Sequence, residues 1–221
     1  MGKNWVVQRV RIRVGNGVKL SEPMRRKRRS ESGAESWLAR EGLRRRYRPD
    51  RVRVLFVGEA PPASGRFFYQ ADSGLYRAVR DAFACVFPAA RESDFLKSFR
   101  TLGCYLVDLC DRPVDRLART QRTKACLEGE ARLGRTLKRL QPEIVITLVR
   151  SISANVKHAQ QRANWQGFAI ELPYPGRWHH HRARFFRAIK PVLRKAFSVE
   201  SVSFAGARTG PHNSRHTSLN S

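Results

Sequence analysis

The chain is poor in acidic residues and in cysteine, and it has no long apolar run. Of its 221 residues only 18 are Asp or Glu, against 44 Lys and Arg, so the formal net charge is +26. Such an imbalance draws polyanions, and nucleic acid is the partner it points to first. An arginine-rich composition throughout is the duller explanation. No stretch approaches the roughly 18 apolar residues of a membrane span, so no membrane partner is expected. The amino terminus lacks the apolar core of a signal peptide, and Val6 stands where a myristoylation signal has Ser or Thr. The expected location is cytoplasmic. Four cysteines, Cys85, Cys104, Cys110 and Cys126, form no Cys-x-x-Cys pair and no zinc-finger spacing. They read as reduced, mostly buried thiols. No internal repeat is present.

Three regions differ in composition. Residues 1–50 carry Arg25-Arg26-Lys27-Arg28-Arg29 and Arg44-Arg45-Arg46 and only one short amphipathic stretch, around Glu35 to Leu43. They read as a basic, largely disordered arm, unless the start codon is misassigned. Residues 198–221 read as a disordered tail. Between them, 51–197 alternates strands and helices. Val52–Val57, Cys104–Leu109, Ile144–Leu148 and Phe168–Leu172 are the expected strands. Ser73 caps a helix bearing Leu75, Val79 and Phe83 on one face, and Asp94–Leu102 forms a second. Lys124–Leu140 is expected to turn Leu127, Ala131, Leu137 and Leu140 inward before Pro142 stops it. Ser151 opens another helix, and a last one spans about His180–Phe197. This alternation implies a parallel sheet covered by helices.

The chemistry concentrates in three loops after strands. The first runs from Gly58 to Tyr69 and holds Glu59, two stiffening prolines and the aromatics Phe67, Phe68 and Tyr69. The second is Asp108-Leu-Cys-Asp-Arg112-Pro-Val-Asp115. The third is Pro173-Tyr174-Pro-Gly-Arg177-Trp178, followed by His179, His180 and His181. In a doubly wound sheet such loops share one crevice. A carboxylate beside flat rings suits a planar group held next to a water molecule. Consecutive histidines at a helix start point in different directions, so no metal is expected there.

Gly58-Glu59-Ala60-Pro61 with Gly65-Arg66-Phe67-Phe68, the later Leu-Gln-Pro-Glu-Ile-Val-Ile-Thr-Leu run and the Pro-containing third loop resemble the uracil-DNA glycosylase superfamily, in particular its Gly-Glu-Ala-Pro-Gly branches. The resemblance covers about Val52 to Phe197. It implies a three-layer α/β/α sandwich around a four-stranded parallel sheet, and removal of uracil or another damaged base from DNA without a cofactor. Glu59 would match the acid that positions water, and Phe68 the ring that stacks on the extruded base, with Phe67, Gly58, Ala60 and Pro61 lining the site. Asp108 falls where the family has an edge-reading Asn, and Tyr174 where it has a His that supports the leaving base. Arg66, Arg112, Arg177 and Arg182 would hold DNA phosphates, which fix register without reading sequence.

The departures carry chemistry. Pro62 replaces the motif's second Gly. An ionised Asp108 offers acceptors but no amide donor, which suits a base with two donors at that edge, or else a protonated Asp108. Tyr174 keeps a hydroxyl donor. The iron–sulfur branches use an amino-terminal cysteine pair that this chain lacks, so no cluster is expected. Two other readings stand beside the glycosylase: a non-catalytic nucleic-acid binder on the same fold, and a small-molecule nucleoside or nucleotide enzyme. The expected partner is single- or double-stranded DNA, bound by a monomer.

Overall fold

The computed structural model describes residues 37–88, 94–176 and 179–197. Its centre is a four-stranded, all-parallel sheet in the order β2-β1-β3-β4. β1 is Val54–Gly58, β2 Cys104–Asp108, β3 Ile144–Thr147 and β4 Phe168–Glu171. Parallel strands buried on both faces need near-continuous apolar runs, and β1 and β2 are buried at every position. Besides helix α1 (residues 37–46), the helices are α2 Gly74–Val86, α3 Phe95–Thr101, α4 Arg119–Leu140, α5 Ser153–Arg162 and α6 His179–Ala196. α4 and α5 pack together, as do α2 and α6, which makes the expected α/β/α sandwich. Connections leave β1 toward β2 and later toward β3, so the strand order reverses beside the carboxyl end of β1.

The capping signal read at Ser73 holds, and Asp94, expected as the first residue of the second helix, caps it instead. Ser73 accepts from the Tyr76 backbone N–H at 3.1 Å, and Asp94 caps α3 through Leu96 N. The predicted inner face of α4 holds at Leu137, which is fully buried, and at Leu140, which packs on the core, but not at its first two positions. Leu127 is 53% exposed and Ala131 is exposed too. The buried face is Cys126, Gly129, Glu130, Leu133, Gly134 and Leu137. Close approach decides it, because a Cβ on Gly129 would lie 2.2 Å from the carbonyl oxygen of Leu109. A count of apolar residues overlooks glycine, and glycine is what lets α4 sit against the sheet. Glu130 stays on this buried face by bonding Asn155 and His158 of α5.

The compact unit begins at Arg40, not at residue 51, so part of the stretch expected to be an arm is folded. Tyr47 stacks on Tyr69 at 5.7 Å with rings nearly parallel. Tyr69 in turn solves an edge problem. β2 has a neighbour on one side only, and a bare edge exposes unpaired main-chain groups. The Tyr69 hydroxyl accepts from Leu106 N at 2.7 Å and donates to Leu106 O at 3.0 Å. Burial pushes this phenol well above its ordinary pKa, so it remains a donor. Replacing Tyr69 with Phe strands two buried main-chain groups, at about 1–3 kcal/mol for an unsatisfied group. Chemical denaturation of Tyr69→Phe should show a loss of about 2 kcal/mol with an unchanged far-ultraviolet spectrum.

Candidate active site

Two carboxylates stand at the carboxyl ends of adjacent strands. Gly58, the last residue of β1, is in register with Asp108, the last of β2, and Glu59 follows Gly58. The pairing continues into the loops, where Leu109 N donates to Gly58 O and Cys110 N to Glu59 O, each at 2.8 Å. Gly58 is required here, since a Cβ at that position would meet Asp108 Oδ1 at 2.8 Å. Farther out, Ala63 N donates to the Asp115 carboxylate, tying the first loop to the second.

Each carboxylate is held by an arginine from a helix. Arg122 of α4 donates to both oxygens of Glu59, from Nε at 2.6 Å and Nη2 at 2.5 Å. This fork fixes the plane of the Glu59 carboxylate. The hydrogen bonds to Glu59 raise the Arg122 pKa against the opposing effect of burial. Beside Glu59 lies Cys126, with its Sγ 3.9 Å from Oε1, and then Cys110, 3.8 Å from Cys126. Burial, with the neighbouring Cys126, pushes the Cys110 thiol up to about 12, and burial also raises Cys126.

Asp108 is 7% exposed, and so is Arg44 of α1. Arg44 Nη2 donates to Asp108 Oδ2 at 2.8 Å, and Nη1 donates to Glu41 at 2.7 Å. Burial raises the Asp108 pKa, and Arg44 and Arg132 oppose it. For Arg44, burial alone would lower the pKa, but Asp108 and Glu41 reverse the sign and hold the guanidinium charged. The Arg44 guanidinium also lies over the Phe67 ring, 5.4 Å from its centroid. Arg132 of α4 clamps the second loop through the carbonyls of Asp108 and Leu109, both at 2.7 Å, and through Asp111.

A sequence model of the uracil DNA glycosylase superfamily matches residues 45–209, well over half of the chain. The chain belongs to that superfamily. No curated protein matches it. A DNA glycosylase-like function in general follows from the membership, and superfamily members act on DNA. No helix among the described residues is long and apolar enough to cross a membrane.

With the superfamily in view, the expected site residues divide. Gly58, Glu59, Ala60, Pro61 and Asp108 meet at the ends of β1 and β2. Tyr174 is 49% exposed, and burial together with the Asp108 charge raises its phenol pKa, so the third loop reaches electrostatic range of the second. Phe68 turns elsewhere. Its ring packs among Tyr69, Tyr76 and Phe99, whereas Phe67 is the ring beside Arg44 and hence Asp108. Arg66 and Arg112 are exposed, and Arg182 lies 4.0 Å from Asp81. Arg177 and Trp178 lie outside the described residues. His180 and His181 contact each other at the start of α6. Among the described residues no three His, Cys, Asp or Glu side chains gather as a metal site.

Sequence reasoning missed Arg44, Arg122 and Arg132. Arg44 lay in the stretch read as a basic arm, and Arg132 lay on a helix read only for its apolar face. The one available signal was Glu41 three residues before Arg44, a helical pairing distance.

Two outcomes follow. Asp108→Ala leaves buried Arg44 with Glu41 as its remaining carboxylate partner and strands its Nη2 donor, so urea unfolding should show a loss of about 1–3 kcal/mol. Iodoacetamide at pH 8 should label exposed Cys85 in the native protein and spare Cys104, Cys110 and Cys126, whose raised pKa values keep them as unreactive thiols. In denaturant all four should react, as read by intact-protein mass spectrometry.

Proposed function

We propose that this protein removes uracil or another damaged base from DNA by hydrolysing the N-glycosidic bond, as a monomer with either single- or double-stranded DNA. The observation that carries this reading is the Glu59 carboxylate at the carboxyl end of β1, fixed in one plane by Arg122. A carboxylate has about four acceptor sites, and the Arg122 fork uses two. The remainder can orient a water molecule toward C1′ of an extruded nucleotide. The water oxygen bonds to C1′ as the C1′–N bond breaks, and Glu59 takes the proton. The base leaves as an anion, for which the Tyr174 hydroxyl is a donor. Asp108 reads the base edge, and Phe67 or Phe68 supplies an apolar face. An enzyme acting on a base must take it out of the stack and hold it in this way. Arg66, Arg112, Arg177 and Arg182 serve the flanking phosphates. Gly58-Glu59-Ala60-Pro61 supports a place near the Gly-Glu-Ala-Pro-Gly branches.

The enclosure of both Phe67 and Phe68 favours a second reading, a non-catalytic DNA binder that keeps the fold. Base release separates the two. Oligonucleotides carrying uracil, hypoxanthine, xanthine or 5-hydroxymethyluracil should yield alkali-labile sites with the wild type. Glu59→Ala should lower that rate by about 10²–10⁴-fold, the usual weight of general-base assistance, while DNA affinity and its salt dependence stay unchanged. Absence of release from every substrate, with salt-sensitive binding intact, leaves the binder.

A further inference from the structure

The place next to Asp108 and Phe67 is already filled. Its occupant is the Arg44 guanidinium, a flat group with N–H donors on its rim, lying over an aromatic ring and donating to a buried carboxylate. A nucleobase held by this site would need the same two contacts, a face on Phe67 and an N–H to Asp108. The geometry points to Arg44 as an internal stand-in for the base: the helical segment carrying it closes the pocket, and a planar group bearing N–H donors enters by displacing it. This inference rests on the proposed base-binding site and adds its regulation.

Three observations support displacement over permanent architecture. First, the Arg44 side chain is incompletely satisfied. Its Nε is buried and has no hydrogen-bond partner, although it shares an edge of the guanidinium with the Nη2 that reaches Asp108. A group built solely to neutralise Asp108 would use both donors of that edge, as Arg122 does on Glu59. Second, Glu41 gives Arg44 an alternative partner on its own helix, three residues away. The guanidinium can therefore leave Asp108 without becoming an unpaired charge. Third, a narrow polar cleft of about 50 Å³ runs beside the pair, bordered by Glu41, Arg44, Asp108, Arg132, Thr136 and Arg139. It puts water-sized polar space directly beside the ion pair.

In a two-state description the apparent affinity for a ligand is reduced by the fraction of molecules that are open. Removing the stand-in removes that penalty. The test uses the full chain and small probes, so it does not depend on turnover. Methylguanidinium chloride, which reproduces the missing side-chain end, and free uracil are titrated by ligand-observed NMR into wild type, Arg44→Ala and Arg44→Ala/Phe67→Leu. Arg44→Ala should bind both probes at least ~10-fold more tightly than wild type, and the double variant should lose that gain. Equal affinity in wild type and Arg44→Ala overturns the inference. Should Arg44→Ala fail to fold, Arg44→Gln and Glu41→Gln take its place. Arg44→Gln should again bind uracil more tightly. Glu41→Gln removes the alternative partner and should make wild-type binding weaker still, and either variant matching wild type overturns the inference.

Base release then separates this inference from the functional proposal. A gain in probe binding without base release by any variant keeps the stand-in and sinks the glycosylase. A fall in base release by Arg44→Ala with no gain in binding makes Arg44 part of the machinery and overturns the stand-in.

Discussion

Burying carboxylates at the end of a parallel sheet is the constraint around which the rest is arranged. Glu59 and Asp108 sit one residue apart in register on neighbouring strands, and isolated ionised carboxylates there would be prohibitive. The fold answers with one arginine for each. α4 begins where Arg122 can reach Glu59, and α1 lies where Arg44 can reach Asp108. The close seat of α4 depends on Gly129, and the room for Asp108 depends on Gly58. Two glycines and two arginines thus place the two acids at the strand ends.

The same accounting changes the meaning of the charge. A net +26 invites a polyanion, but several of the arginines are internal ties. Arg44, Arg122 and Arg132 hold the site. Arg53 donates to the Ala196 carbonyl and lies over Phe197, fastening the end of α6. Arg51 and Arg53 share Glu143. Arg66 and Arg112 stay exposed in the loops at the strand ends, where the proposed function would set them against phosphates.

How far the sequence could be read follows from which interactions are local. β1 and the motif Gly58-Glu59-Ala60-Pro61 were legible because an apolar run ending in Gly and Pro has few alternative readings. Ser73 was legible because a cap is satisfied within three residues. The inner face of α4 was not, because Leu127 looks like a core residue and Gly129 does not, and only the Leu109 backbone opposite decides between them. Arg44 was not legible because its partner Asp108 is 64 positions away. The choice between Phe67 and Phe68 also waited on tertiary structure, since adjacent aromatics are equivalent until Phe99 and Tyr76 claim one of them.

In the proposed site, an acid at position 108 and the burial of Arg44 go together. A neutral amide at that position needs no counter-ion and leaves the space above the aromatic ring free. A carboxylate held at 7% exposure needs a cation, and the planar guanidinium that satisfies it has the flat outline and N–H rim of the base that the proposed function would place there. On the proposed reading, a base would compete by offering N–H donors where Arg44 now does. Uracil presents one such donor beside an acceptor carbonyl, which an ionised Asp108 opposes. Either the buried carboxyl, whose pKa burial already raises, takes up a proton when Arg44 departs, or the preferred base is one with a second donor at that edge.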